Sequence, residues 1–275
     1  MNYSSKSFQG AVLFTTLLIA FILGHLFCPY DPTTIILEAR NSPPSPEHWF
    51  GTDELGRDLF ARTLQGMRIS LTVGIAAAFI DLVLGTVWGA VAGFARHRVD
   101  ATMMRFAELV YSLPYLLVVI LATVILGKGL IPILVAMVCI GWIQMARVVR
   151  MLVLEARRAE YAQAACALGV SSRRLFFSHI LPNIMGPMLA ASMISIPHAM
   201  FTEAFLSFLG IGMQPPVASL GSLVGDSIAA MRFFPWRLIF PASCITLLIF
   251  SITLLADGLR DLYDPKQQLK DGALL

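Results

Sequence analysis

Read for its pattern of apolar and polar positions, the chain alternates long hydrophobic runs with shorter polar segments. A bilayer core of about 30 Å takes about 20 apolar residues in helical form. Runs of that order lie at Phe8–Phe27, Ile69–Phe94, Leu109–Leu126, Leu130–Ala146, Ile184–Leu209 and Leu238–Ala256. The pattern therefore predicts an all-α integral membrane protein with six transmembrane helices. The first run is long for a cleaved leader, has only Lys6 ahead of it, and ends at His25-Leu26-Phe27-Cys28 without a small-residue cleavage pattern. It reads as an uncleaved first span.

Three polar segments separate the spans. Pro29–Arg68 contains Pro43-Pro44-Ser45-Pro46, where ring constraint and missing donors forbid regular helix, followed by the denser polar run Gly51–Arg68. That run predicts a capped polar helix in which Thr52 or Asp53 caps and Arg57 pairs with Asp53 or Asp58. Arg147–His179 is the most charged stretch, and Gly210–Arg237, with Pro215-Pro216 and several glycines, suits a folded loop rather than another span. The chain thus divides into residues 1–68, a first helix with an outer segment, and 69–275, a five-helix core with a loop at about 147–179 on one side and another at about 210–237 on the other.

Composition sharpens the membrane reading. Of 275 residues, 57% are hydrophobic and only 13% charged, too few to dress a water-facing surface. The mean hydropathy is +0.75. A net charge of +3 is too small to suggest nucleic-acid binding. Its distribution matters more. Six spans put both termini on one side, and placing them in the cytoplasm puts 13 of the 20 Lys and Arg in inner segments, as the positive-inside rule requires. The four cysteines, Cys28, Cys139, Cys166 and Cys244, have neither C-x-x-C nor His-paired spacing, so neither a disulfide framework nor a zinc site organises the fold.

The charged inner segment carries a local pattern. Tyr161, Ala164, Ala165 and Leu168 fall at i, i+3, i+4 and i+7 and form one apolar helical stripe, while Arg157, Glu160 and Gln163 lie on another face. Gly169 stops the helix, and Ser171 or Ser172 can cap the next. Periodicity alone leaves two readings of this helix–turn–helix: a partner surface, or an amphipathic helix lying on its own membrane.

Gln163-Ala164-Ala165, Gly169 and Ile180-Leu181-Pro182 resemble the E-A-A-x-x-x-G…I-x-L-P loop of bacterial ABC-importer permeases. Glu160-Tyr161 and His179-Ile180-Leu181-Pro182-Asn183 are similar to its dipeptide/oligopeptide branch. Gln163 stands where glutamate is usual, which keeps hydrogen bonding and loses the charge of a salt bridge. The run Phe50-Gly51-Thr52-Asp53-Glu54-Leu55-Gly56-Arg57-Asp58, continuing to Arg62, Gly66, Arg68, Ser70 and Leu71, resembles the C-type member of the paired permeases. Glu203 to Gly212, then Pro215-Pro216 and Gly221, resembles the fifth span and outer loop, with Leu220 where tryptophan is usual; Ala256–Asp261 before Asp264-Pro265 resembles the C-terminal end. The resemblance implies a multi-pass permease of the bacterial inner membrane. Its ATPase-coupling residues would be Glu160, Tyr161, Gln163, Ala164, Ala165, Leu168 and Gly169. The implied partners are a second homologous permease, two ATP-binding subunits or domains and an outer substrate-binding protein. ATP and magnesium are implied on the ATPases, with no cofactor or metal on this chain. Cargo in the resembling branch includes di- and oligopeptides, nickel chelates and other small solutes.

Asp81 and Glu203 stand inside apolar spans, where an ionised carboxylate costs about 2.5–3.5 kcal/mol, so each needs a partner or water. Either can line a substrate path or make a structural hydrogen bond. Gly85, Gly89 and Gly93 recur every four residues and leave one helix face bare for close packing. The sequence contains no G-x-x-x-x-G-K-[ST], H-E-x-x-H or G-x-S-x-G, so ATP hydrolysis or peptide cleavage by those routes is not expected of it. An ion-coupled secondary transporter would need acids in several spans, and an intramembrane enzyme a nucleophile–base or metal constellation.

Overall fold

The computed structural model describes residues 3–263. The sequence features at Asp264-Pro265, Lys266 and Lys270 lie outside them. Eleven α-helices are described, and among the described residues the only β pairing is an isolated bridge between Thr52 and Asp58. In order they are α1 (Tyr3–Phe27), α2 (Leu59–Phe94), α3 (His97–Tyr111), α4 (Tyr115–Leu126), α5 (Leu130–Ile140), α6 (Trp142–Arg158), α7 (Glu160–Ala167), α8 (Ser172–Leu175), α9 (Leu181–Phe208), α10 (Leu220–Ile228) and α11 (Trp236–Tyr263). A short π-helical stretch, Phe176–Ile180, joins α8 to α9.

Five helical segments are long and apolar enough to cross a membrane: Gln9–Phe27, Leu59–Phe94, Leu130–Arg158, Ser172–Phe208 and Trp236–Arg260. The expected third span differs. It is a pair of helices, α3 and α4, bent by 74°. Pro114 supplies no backbone donor and restricts Leu113 before it, so the helix stops at Tyr111 and restarts at Tyr115. At about 1.5 Å per residue, the twelve residues of α4 reach about 18 Å, short of a bilayer core.

Two other boundaries shift. The second span begins at Leu59 rather than Ile69, so the division at 68/69 falls inside α2, and the expected polar helix from Gly51 is instead an irregular turn ending at the α2 N-cap, Asp58. The fourth run continues through Arg147 to Arg158, making the first part of the charged inner segment an extension of a span. Residues 210–237 hold the nine-residue α10, opened by a Ser219/Ser222 capping box.

α2 is the spine. It packs on α6 and α9, while α1 lies against α11. A methyl group at Gly85 would stand 2.6 Å from the Met145 Cβ, at Gly89 2.5 Å from the Ala146 carbonyl oxygen, and at Gly93 2.8 Å from Val153. The bare face of α2 is therefore filled by α6. Large apolar side chains such as Phe79, Val87, Val124 and Ile125 remain exposed around the outside, as a lipid-facing surface requires.

Two ends of the bundle are distinct. The cap end gathers residues 29–58, the start of α2, and α10. The loop end gathers α7, α8 and the far ends of α2 and α6.

Candidate coupling loop and cavity

At the loop end, α6 stops at Arg158 and Ala159 turns the chain into α7. One core cluster holds the turn down: Val149, Val153 and Ala156 of α6, Ala162 and Ala165 of α7, Leu175, and Ile180, Ile184 and Met188. Arg157 donates to the Gly93 carbonyl at 2.7 Å and lies 5.0 Å over the Phe94 ring, fastening α6 to the end of α2. Arg150 forms a two-pronged pair with Asp100 of α3 at 2.5 and 2.6 Å.

Beyond α7 the Val170 amide donates to the Ala165 carbonyl and the Gly169 amide to the Cys166 carbonyl, a Schellman closure. Gly169 has φ +79 and open space around it, so glycine is required by the backbone rather than by crowding. Ser171 caps α8 through the Arg174 amide.

The predicted stripe divides. Ala165 turns inward at 7% exposure, with Ala162 beside it at 1%, while Tyr161, Ala164 and Leu168 face outward, Leu168 at 85%. The cause is rotation: i, i+3 and i+7 share the outer face, and α7 uses Ala162 and Ala165 to sit on its own chain. Glu160 and Gln163 are also exposed, and Gln163 donates to the Arg158 carbonyl at 2.9 Å.

A cavity of about 680 Å³ runs between α2, α4, α5, α6 and α9, with Arg260 of α11 contributing. Its wall is mostly apolar. The polar groups on it include Asp81, Tyr115, Gln144, His198 and Thr202. Gln144 donates to the Tyr111 hydroxyl at 2.7 Å. Among the described residues Asp81 has no hydrogen bond or ion pair, and the Tyr115 hydroxyl is buried without a partner.

Glu203, the other path candidate, is not on this wall. It is fully buried between α2 and α9, where its two carboxylate oxygens accept from Ser70 at 2.8 Å and Ser207 at 2.7 Å. The two carboxylates that look alike in sequence are thus separated by environment.

At the cap end, Asp53 accepts from the Leu55 and Arg57 amides at 2.8 and 3.0 Å and from the Arg57 Nε at 2.7 Å. Arg62 Nε lies 3.4 Å from the same carboxylate. Asp58 caps α2 through the Ala61 amide at 2.7 Å and meets His48 Nδ1 at 2.8 Å. Arg237 ties α11 to this segment through Asn41 at 3.0 Å and Glu54 at 3.1 Å. On α10, partial desolvation raises the Asp226 carboxyl above its ordinary value, with Arg62 opposing the shift.

Sequence reasoning missed Tyr115, His198, the Asp100–Arg150 pair and Ala162. Helical periodicity signals Ala162 only once the turn at Ala159 is known, and no local pattern marks the others: Asp100 and Arg150 are 50 residues apart, and the wall that gathers Tyr115 and His198 is assembled from several helices.

Comparisons with known proteins identify the family of the chain. Residues 85–268 match the family described as binding-protein-dependent transport system inner membrane component. The oligopeptide transport system permease protein OppC of Bacillus subtilis is 46% identical over 257 residues, 94% of this chain and 84% of that protein. The dipeptide transport system permease protein DppC of the same organism is 44% identical over 97% of this chain and 83% of its own. OppC of Haemophilus influenzae is 38% identical over 97% and 86%. Among solved structures, an inward-facing form of the MetNI methionine ABC transporter superposes with a TM-score of 0.56 at 17% identity, covering 73% of this chain and 96% of that one; it shares the fold. The chain belongs to the binding-protein-dependent transport system inner membrane components. It is a multi-pass ABC-importer permease subunit of the bacterial inner membrane.

Proposed function

We propose that this chain forms half of the path of a peptide importer and transmits the work of cytoplasmic ATPases to it. The carrying observation is α7, which anchors inward through Ala162 and Ala165 and leaves Tyr161, Ala164 and Leu168 exposed at the end of the bundle. Such a face, backed by a rigid core and attached to α6 and α9, suits insertion into a groove of another protein. On this reading the loop end is cytoplasmic and the cap end outside. The other half of the path comes from a second permease, cargo from an external binding protein, and ATP with its magnesium is held by the two ATP-binding subunits. Closure of the ATPases displaces α7, and the shared core passes that displacement to α6 and α9, which line the cavity. Relatives named for oligopeptide and dipeptide transport support peptides as cargo.

The orientation is tested by impermeant thiol labelling. With the four native cysteines replaced by serine, a cysteine at Glu47 should label in cells stripped of their outer barrier, and one at Leu168 only after the membrane is opened. Reversed labelling would overturn both orientation and ATPase contact.

A further inference from the structure

We propose that Asp81 is a transient binding point for the ammonium group of cargo, a specificity-determining carboxylate on the path; this rests on the cavity being the peptide path. Three observations carry it. Asp81 lines the cavity of about 680 Å³, and neither a hydrogen bond nor an ion pair reaches it from the described residues. The buried carboxylates elsewhere are occupied: Glu203 by two serine hydroxyls, Asp53 by Arg57, Asp100 by Arg150. The Tyr115 hydroxyl, on the same wall, is buried and also unpartnered.

Gly141, between α5 and α6, holds this arrangement. A Cβ there would stand 2.5 and 2.8 Å from the two Asp81 carboxylate oxygens, so its absence lets the carboxylate lie against the helix junction. A carboxylate in largely apolar surroundings is tolerated only with water or a cation beside it. An ammonium group has three donors and no acceptor, and complements an unpaired carboxylate that shares its wall with a hydroxyl lone pair. The other polar groups on the wall include Arg260, at the loop end of the cavity, and His198 on α9; no ion pair links either to Asp81. The apolar remainder offers side chains space without hydrogen-bond readout. Such a wall accepts peptides of varied sequence by an ammonium group that free peptides have in common.

The test uses the complete importer with its binding protein in proteoliposomes, with ATP hydrolysis measured alongside to report assembly. Cargo is a tripeptide whose only amine is its terminus, and a matched tripeptide with one added lysine. Asp81→Asn should slow uptake at least ten-fold, and Asp81→Glu should restore part of it. Equal slowing of both peptides assigns the site to the amino terminus; slowing of the lysine peptide alone assigns it to side-chain ammonium. Wild-type uptake of both by Asp81→Asn would overturn the proposal. Should that variant fail to assemble, Tyr115→Phe decides instead: about three-fold slower uptake supports the site, and an unchanged rate overturns it. Absence of peptide uptake by the wild-type complex would instead refute the peptide reading itself, before Asp81 is considered.

Discussion

Asp53, Arg57, Asp58 and Arg62 at the cap end are each at most 6% exposed, whereas Glu160, Tyr161, Gln163 and Leu168 at the loop end all lie in solvent, Leu168 at 85%. Both regions are short polar segments flanked by long apolar helices, and both turn on a positive-φ glycine, Gly56 in one and Gly169 in the other. What differs is where their contacts go. The cap turns Asp53, Arg57, Asp58 and Arg62 inward, and these, with Asn41 and Glu54, fix residues 41–58 to α2 and α11. The loop satisfies its backbone internally and buries Ala162 and Ala165, and it presents Tyr161, Ala164 and Leu168. A segment that finishes its own bonding is a fixture; one that leaves a supported face unfinished has a surface free for a partner.

The largest effect should follow from breaking the cap. Asp53→Ala removes the acceptor of two amides and the Arg57 side chain and leaves Arg57 and Arg62 buried without their counter-charge. Stranding a buried charge costs about 3–5 kcal/mol. The purified complex should melt far below wild type or fail to accumulate; a melting curve equal to wild type would show that the cap is not a fixture.

Much of this contrast was legible beforehand, and the exceptions have physical causes. An apolar run of about 20 residues announces a helix whatever surrounds it, and Gly169 marked the loop's turn because glycine adopts that backbone most readily. The start of α2 was hidden because Arg62, Gln65 and Arg68 read as loop; Arg62 and Gln65 are accommodated by distant groups, Arg62 by Asp53 and Gln65 by the Ala218 amide at 3.3 Å. The bend at Pro114 was hidden because apolarity does not distinguish a straight helix from a broken one. Glu203 and Asp81 could not be told apart, since Ser70, which satisfies Glu203, is 133 residues away.

A smaller effect is expected from Glu203, which behaves like the cap although it lies in the bundle. Glu203→Ala leaves the Ser70 and Ser207 hydroxyls without their acceptor, and each buried unsatisfied group costs about 1–3 kcal/mol. Glu203→Gln keeps the shape, accepts from one serine through its amide oxygen and donates its NH2 to the other hydroxyl, so it should cost about 1 kcal/mol or less and leave the relative uptake of cationic and neutral peptides unchanged. Selective slowing of cationic cargo in Glu203→Gln, at equal expression, would place this carboxylate on the path and erase its distinction from Asp81.

The smallest effect on the chain itself should come from Leu168→Ser. At 85% exposure the side chain contributes little to this chain's packing, and surface substitutions usually stay within about 0.5 kcal/mol. The variant should insert, accumulate and melt as wild type does when assembly is not required for the measurement. Its deficit should appear only with the ATPases present, because a large apolar side chain buried in another protein's groove loses its contact there. Weaker co-purification of the ATPases, or ATP hydrolysis no longer raised by loaded binding protein, is the expected readout. Ala165 is unsuitable for this purpose: it lies in the core that supports α7, so a substitution there reports on the support and the contact together. Should Leu168→Ser leave both co-purification and stimulated hydrolysis at wild-type levels, the exposed face of α7 is not the ATPase contact, and the amphipathic alternative, a helix resting on its own membrane, takes its place.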